Sequence, residues 1–254
     1  MATAIYAFGQ FSDGTFGSFA NASVTAETAT EIQTGGVGIN QASGVSIGQA
    51  FAGKTLVALS CQVQTDDAIT GCFSYGYLLG PTGEMLCPVQ GANFSGVGLP
   101  RLKRPVRMTP GVKLFAAFDA STDAVGLASM AVYCASKKSA IFAIKAVNAT
   151  KTAMVDVLTG GSIGQSLAGE RVVCSYQGYP ANKGLNDDQS GNAGFYIESS
   201  DGALKLMVGP SVVGAAGASA GAAGDYTQGS LPYVEYAVAI PIGQNDTLSV
   251  MAGI

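Results

Sequence analysis

Four of the chain's 13 basic residues crowd into seven positions, Arg101-Leu102-Lys103-Arg104-Pro105-Val106-Arg107. Elsewhere charge is sparse, since Asp, Glu, Lys and Arg together make up 12% of 254 residues. Guanidinium and ammonium groups grip acidic surfaces but supply no general base at neutral pH, so the cluster is a contact rather than a catalyst. Arg101, Lys103, Arg104 and Arg107 are read as inter-subunit contact residues on a loop that faces an acidic neighbouring subunit. Nucleic acid is not the expected partner. The net charge is −4, and no aromatic side chains interleave with the cations for base stacking.

Other chemistry falls away by subtraction. A chain without histidine cannot build a Ser-His-Asp or Cys-His nucleophile system. The Asp66-Asp67 and Asp187-Asp188 pairs fall in predicted loops and lack the spaced Asp-x-Asp-x-Asp-Gly pattern of a calcium loop, so they read as solvated turn carboxylates. Two glycine runs, Thr34-Gly35-Gly36-Val37-Gly38 and Thr159-Gly160-Gly161-Ser162-Ile163-Gly164, lack the lysine of a phosphate loop and read as turns. Five cysteines, Cys61, Cys72, Cys87, Cys134 and Cys174, form no Cys-x-x-Cys pair and are odd in number. They read as buried reduced thiols, which fits assembly in a reducing cytoplasm. No catalytic residue, metal or cofactor is expected. The opening residues show no basic segment ahead of an apolar run, and no stretch reaches membrane-spanning length, so no membrane partner is expected either.

The elements that hold these residues come into view through self-similarity. Ser46-Ile47-Gly48-Gln49-Ala50-Phe51-Ala52-Gly53 recurs as Ser162-Ile163-Gly164-Gln165-Ser166-Leu167-Ala168-Gly169, with six of eight positions identical. In the same order, Thr3–Ala7 pairs with Ser139–Ala143, and Tyr77-Leu78 followed by Gly83 pairs with Tyr196-Ile197 followed by Gly202. Leu127–Ala131 pairs with Leu248–Ala252, which places the C-terminus where the first copy ends. These matches divide the chain into residues 1–136 and 137–254, two copies of one domain. Ala20 to Gln41 reads as an extended arm, with a short helix around Val24 to Thr30. In the second copy the basic segment aligns with an Ala/Gly loop, Gly214 to Gly229.

Within each copy, short runs rich in Val, Ala, Tyr and Phe are punctuated by Gly, Pro, Asn and Asp about every 8 to 12 residues, the spacing of a sandwich or barrel. Strands are predicted at Thr55–Val63, Cys72–Leu79, Met85–Val89, Val112–Phe118 and Gly126–Tyr133. The fold class is all-β, a tandem duplication of a jelly-roll-like sandwich or barrel. Turns are predicted at Pro81-Thr82-Gly83 and Ser200-Asp201-Gly202. Asp119–Asp123 and Gly243–Asp246 are paired as a further matching turn.

Hydrophobic residues reach 48% and glycine 35 positions, too little polar surface for an isolated globule to solvate itself generously. Two tandem all-β copies in such a chain resemble the tandem jelly-roll coat proteins of tailless viruses, and the Gly/Ala/Ser-rich composition is similar to the head decoration proteins of tailed phages. The resemblance implies a virion structural protein assembled in a host cytoplasm, a homotrimer that contacts other capsid subunits. The competing class is a tandem carbohydrate- or receptor-binding module, with Tyr176, Tyr179 and Tyr226 as exposed loop aromatics.

Overall fold

The computed structural model describes residues 3–22, 28–34, 44–65, 72–89, 99–119, 128–145, 150–178, 191–213 and 231–253. Its chain divides into two units, Met1–Ala120 and Ser121–Ile254, each built almost entirely of antiparallel strands. The first runs β1 (Thr3–Phe11), β2 (Phe16–Ala22), β3 (Thr30–Ile32), a one-turn helix α1 (Ile47–Ala50), β4 (Thr55–Thr65), β5 (Cys72–Leu79), β6 (Met85–Val89), β7 (Arg101–Arg107) and β8 (Lys113–Asp119). They form two four-stranded sheets, ordered β2-β1-β4-β7 and β3-β8-β5-β6. Alternation selects the inner face: Ile5, Ala7 and Phe11 of β1 are buried while Phe8 between them is exposed. Phe11 and Phe19 close on Phe51 just after α1, their ring centroids 4.6 and 5.4 Å from that ring.

The second unit runs β9 (Ala128–Cys134), β10 (Ser139–Ile144), β11 (Thr152–Ala153), β12 (Val155–Asp156), α2 (Ile163–Leu167), β13 (Arg171–Gly178), β14 (Gly191–Glu198), β15 (Leu204–Val213), β16 (Leu231–Pro241) and β17 (Thr247–Gly253). Its sheets are β12-β10-β9-β13-β16 and β11-β17-β14-β15. Met130, Val132 and Phe142 from one sheet meet Phe195, Ile197, Leu248 and Val250 from the other, and α2 adds Ile163 and Leu167 to the same cluster. Withdrawing this surface from water, at roughly 25 cal/mol per Å2, is the main term that holds the sheets together.

Partners step outward from a hairpin in both units. β5 pairs β6, β4 pairs β7 and β3 pairs β8; likewise β14 pairs β15, β13 pairs β16 and β11 pairs β17. Such nesting is a long hairpin folded across two antiparallel sheets, an all-β sandwich-like arrangement. The place between β2 and β4 is filled by β1, and the place between β10 and β13 by β9, so in each unit that strand comes from the front rather than from the end.

That order corrects the register of the repeat. The strand beginning at Ala128, which the sequence assigns to the end of a first copy closing at residue 136, opens the second unit and stands where β1 stands. Ser139–Ala143 therefore corresponds to Phe16–Ala20, not to Thr3–Ala7, and Phe19 and Phe142 are matching buried anchors. Leu127–Ala131 and Leu248–Ala252 fall in non-matching strands. Turn geometry agrees. The Phe11 amide donates to the Thr15 carbonyl at 2.9 Å, and the Cys134 amide to the Lys138 carbonyl at 2.8 Å. The positive φ of Gly14, 83°, recurs as 78° at Lys137. Within the segment read as an arm, Thr30–Ile32 is strand β3, matched by β11, and residues 24–27 of the helix expected at Val24 to Thr30 lie outside the described residues.

The eight-residue repeat keeps its place, and its glycine has a physical reason. α1 rests on the turn between β7 and β8, where the Gly48 amide donates to the Val112 carbonyl at 3.0 Å. α2 rests on the turn between β16 and β17, where the Gly164 amide donates to the Asp246 carbonyl at 3.1 Å. A Cβ on Gly48 would lie 2.0 Å from the Thr109 carbonyl oxygen, and one on Gly164 would lie 2.4 Å from that of Gln244. The turn matching Gly243–Asp246 is thus Thr109–Val112; Asp119 ends β8, and 120–123 lie outside the described residues. Ser162 and Gln165 complete a capping box, each side chain bonding the other's backbone N–H, at 3.2 and 2.8 Å.

Candidate interaction surface at two sheet edges

Arg101–Arg107 is a strand, not the expected loop. β7 lies last in its sheet, with β4 on one side and no strand on the other among the described residues. Thr55 faces Arg107, Leu56 faces Val106 and Ala58 faces Arg101, so Val57 alone stands opposite Leu102, Lys103, Arg104 and Pro105. The charges mislead because an edge strand with one wet face tolerates them at alternate positions. Leu102 and Val106 point inward and are buried, Arg101, Lys103 and Arg107 are exposed, and Arg104 is half-buried. The structure thus brings the four sequence-predicted cations onto one edge. Cations, a proline without an N–H and a wide bulge each discourage a further strand from adding there.

β16 has the same backbone form and the opposite chemistry. Arg171 faces Pro241, Val172 faces Ile240 and Cys174 faces Glu235, so Val173 stands opposite Tyr236, Ala237, Val238 and Ala239. Glu235 occupies the place of Arg101, Ala237 that of Lys103 and Val238 that of Arg104. The counterpart of the basic segment is this strand and not 214–229, which lies outside the described residues. Where Leu102 is apolar, Tyr236 carries a hydroxyl 2.5 Å from that of Ser175. Burial pushes the Tyr236 hydroxyl up to about 12, against the opposing pull of Ser175.

Exposed apolar side chains gather on this side of the second unit. Val238 is 71% exposed, and Leu204 and Met207 of β15 are 54% and 53% exposed. Lys205, bulged out of β15, ties the two strands by donating to the Pro241 carbonyl at 3.3 Å. The same ammonium lies 2.6 Å from the Asp246 carboxylate, which also accepts from the Gly243 amide at 2.7 Å. In the first unit those two places hold Leu86, bulged from β6, and Val112. The two places that hold an ion pair in one unit are therefore both apolar in the other.

Elsewhere the side chains serve structure. Tyr176 lies in β13 and packs edge-on against Tyr133, centroids 5.7 Å apart, so it is not a loop aromatic; Tyr179 and Tyr226 lie outside the described residues. So do Asp66-Asp67 and Asp187-Asp188. Cys61, Cys87, Cys134 and Cys174 are buried thiols. Burial alone pushes Cys61 up to about 12, which keeps it protonated and inert at neutral pH. Each predicted turn has a carboxylate tied to a hydroxyl, at non-matching positions: the Thr82 hydroxyl draws Glu84 below its usual range, and the Ser199 hydroxyl does the same for Asp201. Gly83 and Gly202 give both turns their positive φ, 87° and 80°. Among the described residues no three Cys, Asp or Glu gather to hold a metal ion, and no helix is long and apolar enough to cross a membrane. What the two edges can do is hold another surface through charge and apolar contact. Comparison with protein-family models, curated proteins and solved structures finds no match to this chain.

Proposed function

We propose that this chain is a virion structural protein that assembles with copies of itself as a homotrimer, in the capsid wall or as a component clamped onto it. The observation that carries the reading is the repetition of one nested strand order in two units of a single chain. Three such chains present six similarly built units around one axis, which suits a pseudo-sixfold position in a closed shell. Scarce charge and exposed Val238, Leu204 and Met207 support burial against further subunits. The two units share a frame while their edges differ, as expected of a duplicated domain whose copies have taken different neighbours. Assembly takes place in a host cytoplasm, consistent with buried thiols. Sedimentation velocity and electron microscopy of the purified full chain test the reading. A stable trimer or closed particles are expected, and a monomer across the whole concentration range overturns it.

A further inference from the structure

We propose that the β16 edge of one molecule docks the basic β7 edge of a second copy of the same chain. The inference rests on the self-assembly reading and adds which surfaces meet. Three observations favour this pair of edges. Val238 stands 71% exposed on a strand that lacks the cations guarding β7, with Leu204 and Met207 exposed on the neighbouring strand. Glu235 sits at the position where β7 has Arg101, so the edges differ in sign where their backbones match. A like-with-like contact at β7 is disfavoured, because it would bring cation against cation.

The fit is side chain to side chain. Pro105 and the bulges at both strands interrupt the regular ladder that β-addition requires. Arginine and lysine instead lay their methylene stems over Val238 and carry their charged heads to Glu235, an arrangement open to long cationic side chains alone. Because the two surfaces differ and lie on different units, the contact is head-to-tail. Such a contact closes into a ring when its rotation permits.

Charge exchange in the full chain tests this by sedimentation velocity. Arg101→Glu with Lys103→Glu should weaken association about tenfold or more, as should Glu235→Arg alone, and the wild type should weaken as salt rises. Combining Arg101→Glu with Glu235→Arg should restore most of the loss, a rescue that a folding defect would not give. Association unchanged in both charge-reversed variants, or a combination no better than its parts, overturns the docking of these edges. A wild type that stays monomeric instead overturns the self-assembly reading itself.

Discussion

β7 and β16 hold equivalent places in their sheets and carry different surfaces. Each ends its sheet, each sets four residues opposite one, and each leads into a turn that carries a helix glycine. Yet one presents Arg101, Lys103 and Arg107 and the other Glu235, Ala237 and Val238. Inward positions answer to the facing sheet and are held apolar by the cost of an unpaired polar group, whereas outward positions answer only to what lies outside. The comparison teaches that frame and surface are separable in this chain, and each half of that statement can be broken.

The frame breaks hardest at its glycines. Gly48→Val and Gly164→Val should each cost about 4 kcal/mol or more, because the first atom of any side chain collides with turn backbone that cannot yield. Urea unfolding followed by circular dichroism would register this, and a loss under about 1 kcal/mol in either would deny that the helices rest on their turns alike. Next come the matching anchors. Phe19→Ala and Phe142→Ala should each lose about 3–5 kcal/mol, and markedly unequal losses would count against placing them at the same position.

Alkali should separate the units. Cys61 is raised from 9.0 to about 12 in the first unit, and Tyr236 from 10.0 to about 12 in the second. A raised folded pKa contributes stability that is complete below the unfolded value and is lost as pH climbs toward the folded one. Unfolding free energy should therefore fall between about pH 9 and 12 by a few kcal/mol, and Cys61→Ala should delay the onset toward pH 10. A flat profile across that window would show that neither group is held as described. Exchanging the ion pair is a smaller test. Asp246→Val should cost about 1–2 kcal/mol, and adding Lys205→Leu, which installs the residue types the first unit has at these two places, should recover most of it. The smallest effect is a gain: Lys137→Gly should stabilise by about 0.5–1 kcal/mol, since a side chain there sits at a φ that Gly14 adopts freely.

Strands with buried, β-rich runs were legible from sequence, down to both ends of β5 and β6. So were the eight-residue repeat and the two turn glycines, because each rests on a local steric demand, but not the short helices that the repeat forms. The repeat register was not. Ala-Ile-Tyr-Ala and Ala-Ile-Phe-Ala are alike as inward-facing strand sequence, and inward alternation does not say which strand of a sheet it belongs to. The turn glycine that would have given the register away is Lys137 in the second unit. β7 was missed as a strand because four cations and a proline are loop signals everywhere except at an edge. Its residues were found by their charge, and their counterpart only by hydrogen-bond register.

Filling the place between β2 and β4 from the front of the unit has a consequence for biosynthesis. Every described strand of the first unit's two sheets ends at or before Asp119, so the whole set is synthesised before Ala128 is added. β1 pairs at once with β2 through a short turn, a local contact that forms early, and the unit then completes around it. Had that place been filled from the end of the unit, the nascent unit would have held an open seam, with its edge exposed, until one more strand arrived. Finishing one half before beginning the next shortens the time for which an unpaired strand edge is open to aggregation.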